Sequence, residues 1–181
     1  EEIFCLNVHK KIKQKYNNLI TIIIPRHINR VQQINKLCEK LKLKSQILNE
    51  GQQIEDNIEI LIINSFGVLS KYFQYCNNVF IGKSMIKRFK YTGGQNPIEA
   101  AQLGCKIFHG PYVNNFKEVY NFLKSHNISI RIDNENDLSD KLIENFREVT
   151  KNNVEQVKNL RAYGDKILEK TLIEINRLNI L

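Results

Sequence analysis

The sequence predicts an α/β chain built on an open, mostly parallel sheet with helices on both faces. Leu19-Ile20-Thr21-Ile22-Ile23-Ile24 is a continuous β-branched run, as expected of a strand buried on both faces of a parallel sheet, and residues 58 to 63 read as a second strong strand. Between such runs lie segments whose apolar residues recur at helical spacing, and no internal repeat or low-complexity tract interrupts the order. The resulting strand-helix-strand succession is what specifies a parallel sheet.

The elements follow in order. Residues 2 to 16 read as a helix. The first strand ends at Pro25, and a helix follows with Val31, Ile34, Leu37, Cys38 and Leu41 on one face. A short strand at Gln46-Ile47-Leu48 precedes the strong strand at 58 to 63, then a helix near Gly67 to Cys76 and a strand at Asn78-Val79-Phe80-Ile81. Residues 97 to 104 read as helix, 106 to 108 as strand, 114 to 124 as helix and 128 to 132 as strand. The remainder reads as helix from Asp137, which is expected to cap it.

At 181 residues, 42% apolar and 25% charged, the chain is long enough to bury a core of its own, which excludes disordered and collagen-like classes. Cys5, Cys38, Cys76 and Cys105 contain no C-x-x-C pair, so they read as free thiols of a reducing compartment, not as a zinc or redox motif. The longest apolar stretch is far below the roughly 20 residues that cross a bilayer, and no secretory signal opens the chain. The start at Glu1, without Met, leaves room for a preceding portion. The net charge of +8 comes from 20 Lys against 7 Arg, alongside 26 Ile and 23 Asn, a joint excess that an AT-rich coding bias explains. The clusters Lys10-Lys11-Lys13-Lys15, Lys36-Lys40-Lys42-Lys44 and Lys83-Lys87-Arg88-Lys90 suit a nucleic acid or an anionic bilayer, but the first two have the spacing of solvated helix faces.

In parallel sheets, ligands bind at the carboxyl ends of the strands, so the loops after residues 24, 63, 81 and 108 are the candidates. Pro25-Arg26-His27 puts a guanidinium fork and a titratable ring at that edge, suited to a phosphate or carboxylate; the plain alternative is an Arg26 ion pair and a His27 helix cap. Gly82-Lys83-Ser84 has the tail of a phosphate-binding G-x-x-x-x-G-K-[ST] loop, but Asn77 stands where the first Gly is needed and 78 to 81 are strand, so the motif fails. In Thr92-Gly93-Gly94-Gln95-Asn96-Pro97-Ile98-Glu99, two glycines allow a tight turn before an Asn cap and a Pro suited to the first helical position. Either Glu99 folds back on the Asn96 amide as a capping box, or the helix start holds a phosphate while Glu99 receives ribose hydroxyls. No G-x-G-x-x-G follows the first strand, which disfavours a dinucleotide site.

The ordered set Pro25-Arg26-His27, Gly67 opening a helix, Gly82-Lys83-Ser84-Met85, Gly93 to Glu99 and Gly110-Pro111-Tyr112-Val113-Asn114-Asn115-Phe116-Lys117-Glu118 resembles the C-terminal half of the bacterial 3-deoxy-D-manno-octulosonic acid (Kdo) transferases, over about residues 1 to 150. The resemblance implies one Rossmann-like half of a GT-B glycosyltransferase, a fold of two such domains facing across a cleft. It further implies inverting transfer of Kdo from CMP-Kdo to a lipid A precursor in lipopolysaccharide synthesis, at the cytoplasmic face of the inner membrane. Carried over by position, it puts Pro25 and Arg26, then Phe66, Gly67 and Val68, then Asn96, Pro97, Ile98 and Glu99 against the CMP. Glu99 is then the ribose ligand and the Asn96 helix start the phosphate ligand. His27, Gly82, Lys83, Ser84, Gly93 and Gly94 are expected to support the site. Val68, Lys83, Gln95 and Tyr112 depart from the family pattern, where Glu, Gly, His and His are usual.

On this reading, residues 1 to 150 form the donor-binding domain and 151 to 181 its helical extension, partly undocked. The acceptor domain, with the membrane anchor and the carboxylate base, lies ahead of Glu1, and Glu1-Glu2 resemble only the end of an interdomain loop. No catalytic residue, metal or cofactor is expected in the chain, whose partners are CMP-Kdo, an anionic membrane surface and, through the absent domain, the lipid acceptor. The competing readings are a transferase with another nucleotide-sugar donor, such as a UDP-sugar, and a basic nucleic-acid-binding module.

Overall fold

A computed structural model describes residues 1 to 147 together with Lys158, Leu160, Ala162, Gly164, Glu169, Ile173 and Arg177. Within residues 1 to 147, six helices, α1 (Glu2–Lys13), α2 (Val31–Lys40), α3 (Leu69–Phe73), α4 (Ile98–Gln102), α5 (Lys117–Ser125) and α6 (Glu135–Arg147), alternate with β1 (Thr21–Ile23), β2 (Ser45–Leu48), β3 (Ile60–Ile63), β4 (Asn78–Ile81), β5 (Lys106–His109) and β6 (Ser129–Arg131). Single turns of 3-10 helix at Ile28–Arg30, Lys87–Phe89 and Asn114–Phe116 fill three of the loops.

Every strand pairing is parallel, as the β-branched runs predict. The strands form two ladders of three, in the orders β1-β3-β2 and β4-β5-β6. Thr21 pairs with Ile60 and Ile23 with Ile62, while Asn78 pairs with Lys106 and Phe108 with Ile130. All four residues of β3 are buried, since this strand is central to its ladder. At about 1.5–3 kcal/mol for each side chain taken out of water, they are a main source of cohesion there.

Helix α1 ties the two ladders together. Its Leu6 packs in one cluster with Val31, Ile34, Ile60 and Ile62, while Phe4, Val8 and Ile12 pack with Phe80, Phe108 and Leu138. The His9 ring meets Thr21 Oγ1 at 2.9 Å on the same helix. A further cluster joins Ile81, Ala100, Ala101, Ile107, Tyr120, Leu123 and Ile128 with Leu160. Leu160 itself is 4% exposed in this cluster; the rest of the 151 to 181 helical extension, expected to be partly undocked, lies outside the described residues, apart from the few named above.

The cap of α6 differs from expectation. Asn134, not Asp137, is the N-terminal cap: its Oδ1 receives the Asn136 and Asp137 amides at 2.9 and 3.0 Å. Asp137 lies three residues on, and its carboxylate receives the Asp133 amide at 2.9 Å. Both residue types cap well, and the one that ends the preceding turn takes the position.

Candidate functional site

The loops that follow β1, β3, β4 and β5 carry the candidate residues, and they divide into free side chains and a tightly bonded frame. Arg26 and His27 are exposed just beyond β1. Arg26 has neither a hydrogen bond nor an ion pair among the described residues, so the pairing that would have made it structural is not formed. His27 opens the 3-10 turn at Ile28–Arg30 through its backbone carbonyl, which receives the Arg30 amide at 3.1 Å, and its side chain makes no cap. Pro25 before it is partly buried.

Beyond β3, Phe66 is 70% exposed and Gly67 adopts a φ of 71°. Val68 turns the other way: with Tyr72 it packs on Leu48, Leu61 and Ile63. An apolar residue at this position therefore joins the core under α3, leaving Phe66 as the exposed side chain of the triplet.

Beyond β4 and β5 the backbone closes into a frame. Ser84 is fully buried; its hydroxyl donates to the Ile81 carbonyl at 2.7 Å and receives the Gly110 amide at 2.9 Å. The Gly94 amide donates to the Lys83 carbonyl at 2.7 Å, and the Tyr112 amide to the Ser84 carbonyl at 2.9 Å. Side chains of the next loop complete it: Asn114 Nδ2 donates to the Lys90 carbonyl and Asn115 Nδ2 to the Thr92 carbonyl, at 2.8 and 2.9 Å. Glycine is required where the strands of this frame cross. A Cβ at Gly93 would lie 2.5 Å from the Tyr112 carbonyl oxygen, and Gly94 combines a φ of 88° with a Cβ position 2.8 Å from Val113 Cα. Lys83, at a φ of 57°, occupies the left-handed region that favours glycine, which accounts for Gly as the usual residue there. Its ammonium lies 5.4 Å from the Phe89 ring centre.

The frame presents the start of α4. Asn96 Oδ1 receives the Ile98 amide at 3.0 Å, with Pro97 at the cap position one residue before the first helical residue. The Glu99 side chain is exposed and bonded to nothing among the described residues, so of the two readings left open for it, the capping box is not formed. With five residues, α4 has a weak dipole, and one of its leading amides is already taken by Asn96.

Three contacts escaped the sequence reading. The Glu1 carboxylate receives the amides of Lys83, Ser84 and Met85 at 2.5, 2.9 and 2.7 Å. Glu2 pairs with Arg30 at 2.8 Å, beside the loop after β1. Tyr120 Oη donates to the Gln95 carbonyl at 3.0 Å. The only sequence signal for the first two is an acidic pair at the start of an amphipathic helix, which elsewhere serves the helix itself. Behind the frame, the His109 ring packs at a tilt against Tyr120 with ring centres 4.4 Å apart, and burial holds its pKa below the ordinary value. Among the described residues no cluster of His, Cys, Asp and Glu has the arrangement of a metal centre, and no helix is long and apolar enough to cross a membrane.

No protein-family model matches the chain. It is similar to the 3-deoxy-D-manno-octulosonic acid transferase of Aquifex aeolicus, 25% identical over 141 residues that make up 77% of this chain and 37% of that protein. The enzyme of the same name from Rickettsia typhi is 30% identical over 140 residues, 76% of this chain and 29% of that protein. The chain spans about a third of the length of the curated relatives it matches. Among solved structures it matches the C-terminal CMP-Kdo binding domain of WaaA from Acinetobacter baumannii with a TM-score of 0.73 and 22% identity, over 92% of this chain and 82% of that one. Over most of its length the chain is accordingly similar to the Kdo transferases, and its fold is that of the Rossmann-like C-terminal half of a GT-B glycosyltransferase.

Proposed function

We propose that this chain is the donor-binding part of an enzyme that transfers Kdo from CMP-Kdo to a lipid A precursor, with inversion, in lipopolysaccharide synthesis. The observation that carries the reading is a pair of opposite charges left without side-chain partners among the described residues: Arg26 after β1 and Glu99 at the start of α4. Both lie in the connections that follow parallel strands, the edge at which such sheets bind their ligands. Similarity to the Kdo transferases, and to a CMP-Kdo binding domain in fold, supports CMP-Kdo as the ligand.

In this reading Arg26 takes the phosphate of CMP through its fork of donors, and Glu99 accepts hydrogen bonds from the ribose hydroxyls. Phe66, exposed beside Gly67, offers an apolar face to the base. The chemical step separates the sugar from the CMP phosphate, so the task of this domain is to stabilise charge that develops on that phosphate. A base must also accept the proton of the attacking hydroxyl. That base belongs to the acceptor domain of the whole enzyme, and the chain by itself is therefore expected to bind donor without turning it over. Residues 1 to 150 with their extension act as one domain, which the burial of Leu160 among β4, β5 and α5 side chains supports. The whole enzyme works at the cytoplasmic face of the inner membrane, where surplus lysines favour an anionic bilayer.

Calorimetric titration with CMP tests the reading. Wild type is expected to bind CMP weakly and in preference to UMP, and Glu99→Ala to bind about tenfold less tightly, in line with the loss of hydrogen bonds to a charged group. Equal affinity of wild type and Glu99→Ala removes the ribose role. Preference for UMP favours a UDP-sugar donor, and indifference to both with steeply salt-dependent binding of polyanions favours a nucleic-acid module.

A further inference from the structure

The loop from Gly82 to Met85 failed the phosphate-loop pattern, yet its backbone is an anion receptor. With Lys83 in the left-handed region, the amides of Lys83, Ser84 and Met85 converge on one point, the nest geometry that binds anions. The occupant is the Glu1 carboxylate, 16% exposed, and both of its oxygens are used: one receives Lys83, the other Ser84 and Met85. Charge-assisted hydrogen bonds that are largely shielded from water are about twice as strong as neutral ones.

We propose that Glu1 is a positioning residue of the donor site: its carboxylate, seated in the Lys83–Met85 nest, fixes the loop that carries Gly93-Gly94 and thereby the start of α4 at Asn96 to Glu99. The route is continuous. Lys83, whose amide is held by Glu1, gives its carbonyl to the Gly94 amide; Ser84, likewise held, joins Ile81 to Gly110 through its hydroxyl and receives Tyr112 on its carbonyl. Gly93 in turn receives the Asn115 amide at 3.1 Å. Without the carboxylate, three converging amides lose their acceptor, and Lys83 loses the contact that compensates its backbone strain. The neighbouring Glu2 holds Arg30 after β1, but that pair is exposed enough that it contributes little.

The link to donor affinity rests on the function proposed above; the link to the loop does not, and one experiment separates them. Amide hydrogen exchange and CMP titration are measured on wild type, Glu1→Ala and Ile34→Ala, the last a core variant of the β1-β3-β2 layer that lowers stability without touching the nest. Glu1→Ala is expected to speed exchange at Lys83, Ser84, Met85 and Gly94 at least about tenfold and to weaken CMP about tenfold, while Ile34→Ala leaves the relative exchange of these amides unchanged. Where Glu1→Ala does not fold, Glu1→Gln, which keeps one acceptor and the volume, must show the same pattern at smaller amplitude. Unchanged exchange at Gly94 in the Glu1 variant, or an equal effect in Ile34→Ala, overturns the proposal, as does an unchanged CMP affinity. If wild type itself ignores CMP, the donor reading fails and the exchange pattern alone decides the role of Glu1.

Discussion

The Tyr120 hydroxyl, carried by α5, donates to the Gln95 carbonyl one residue ahead of the Asn96 cap, so the exposed start of α4 is pinned from below by a buried ring. Burial pushes the pKa of this phenol up, which keeps it a donor across the working pH range. Tyr120→Phe retains the packing against Ile107, Leu123 and Leu160 and removes only the donor. The expected result is a loss of about 1 kcal/mol in urea unfolding, with shifts in the amide spectrum concentrated at Gln95 to Glu99. Shifts confined to α5 and the core would contradict the pinning.

Gly94→Ala places a methyl group against Val113 Cα at a backbone conformation that disfavours it. The combined strain and overpacking should cost about 2–4 kcal/mol, read as a lower urea midpoint with unchanged slope. Lys83→Gly, at a left-handed position in the same frame, should be tolerated within about 1 kcal/mol, because relief of strain offsets the extra freedom of the unfolded chain. A Lys83→Gly variant as unstable as Gly94→Ala would show that the lysine side chain, not the backbone, matters there.

The Arg26 side chain is exposed and makes no hydrogen bond or ion pair among the described residues, so Arg26→Ala should leave stability within about 0.5 kcal/mol of wild type. Its affinity for CMP should nevertheless fall about tenfold, and Arg26→Lys should recover only part of the loss because an ammonium cannot offer a planar fork. Measured by calorimetry beside thermal unfolding, a variant that loses stability and keeps affinity would reverse the assignment.

Two histidines make stability depend on pH. Burial lowers the pKa of His9, against a weaker opposing pull from Glu59, and burial likewise lowers that of His109. Because the unfolded chain protonates both near the ordinary value of 6.5 while the folded chain resists, stability should fall as pH drops below that value and level off once the folded rings titrate. Above about pH 7 neither group contributes a slope. Urea midpoints compared between about pH 7.5 and 5.5 should decline, and His109→Gln should flatten part of that decline; a midpoint constant over this interval would refute the account.

Much of the scaffold is legible because its cause is local. The strand around Ile22 announces itself as a β-branched run, that around Ile62 as a short, strongly apolar one, and α2 by the spacing of Val31, Ile34 and Cys38. Locality also explains the error at α6, where Asn134 and Asp137 offer the same capping chemistry within one turn. The division into two ladders is not legible, since strand partners such as Thr21 and Ile60 lie far apart in sequence. The same limit hid the Glu1 nest, whose partners are separated by more than eighty residues. At Glu99 the sequence supports a capping box and a free carboxylate equally, and the choice depends on Asn96 spending its oxygen on the Ile98 amide while Glu99 stays in solvent.

Helix α1 has a consequence for how the molecule comes apart. One of its faces lies on the β1-β3-β2 ladder through Leu6 and another on β4-β5-β6 through Phe4, Val8 and Ile12. Peeling it away would bare apolar surface on both ladders at once, even though α2 still covers part of the first and α4 and α5 part of the second. Two separate hydrogen-bonded sheets are thereby made into a single cooperative unit, expected to melt in one transition.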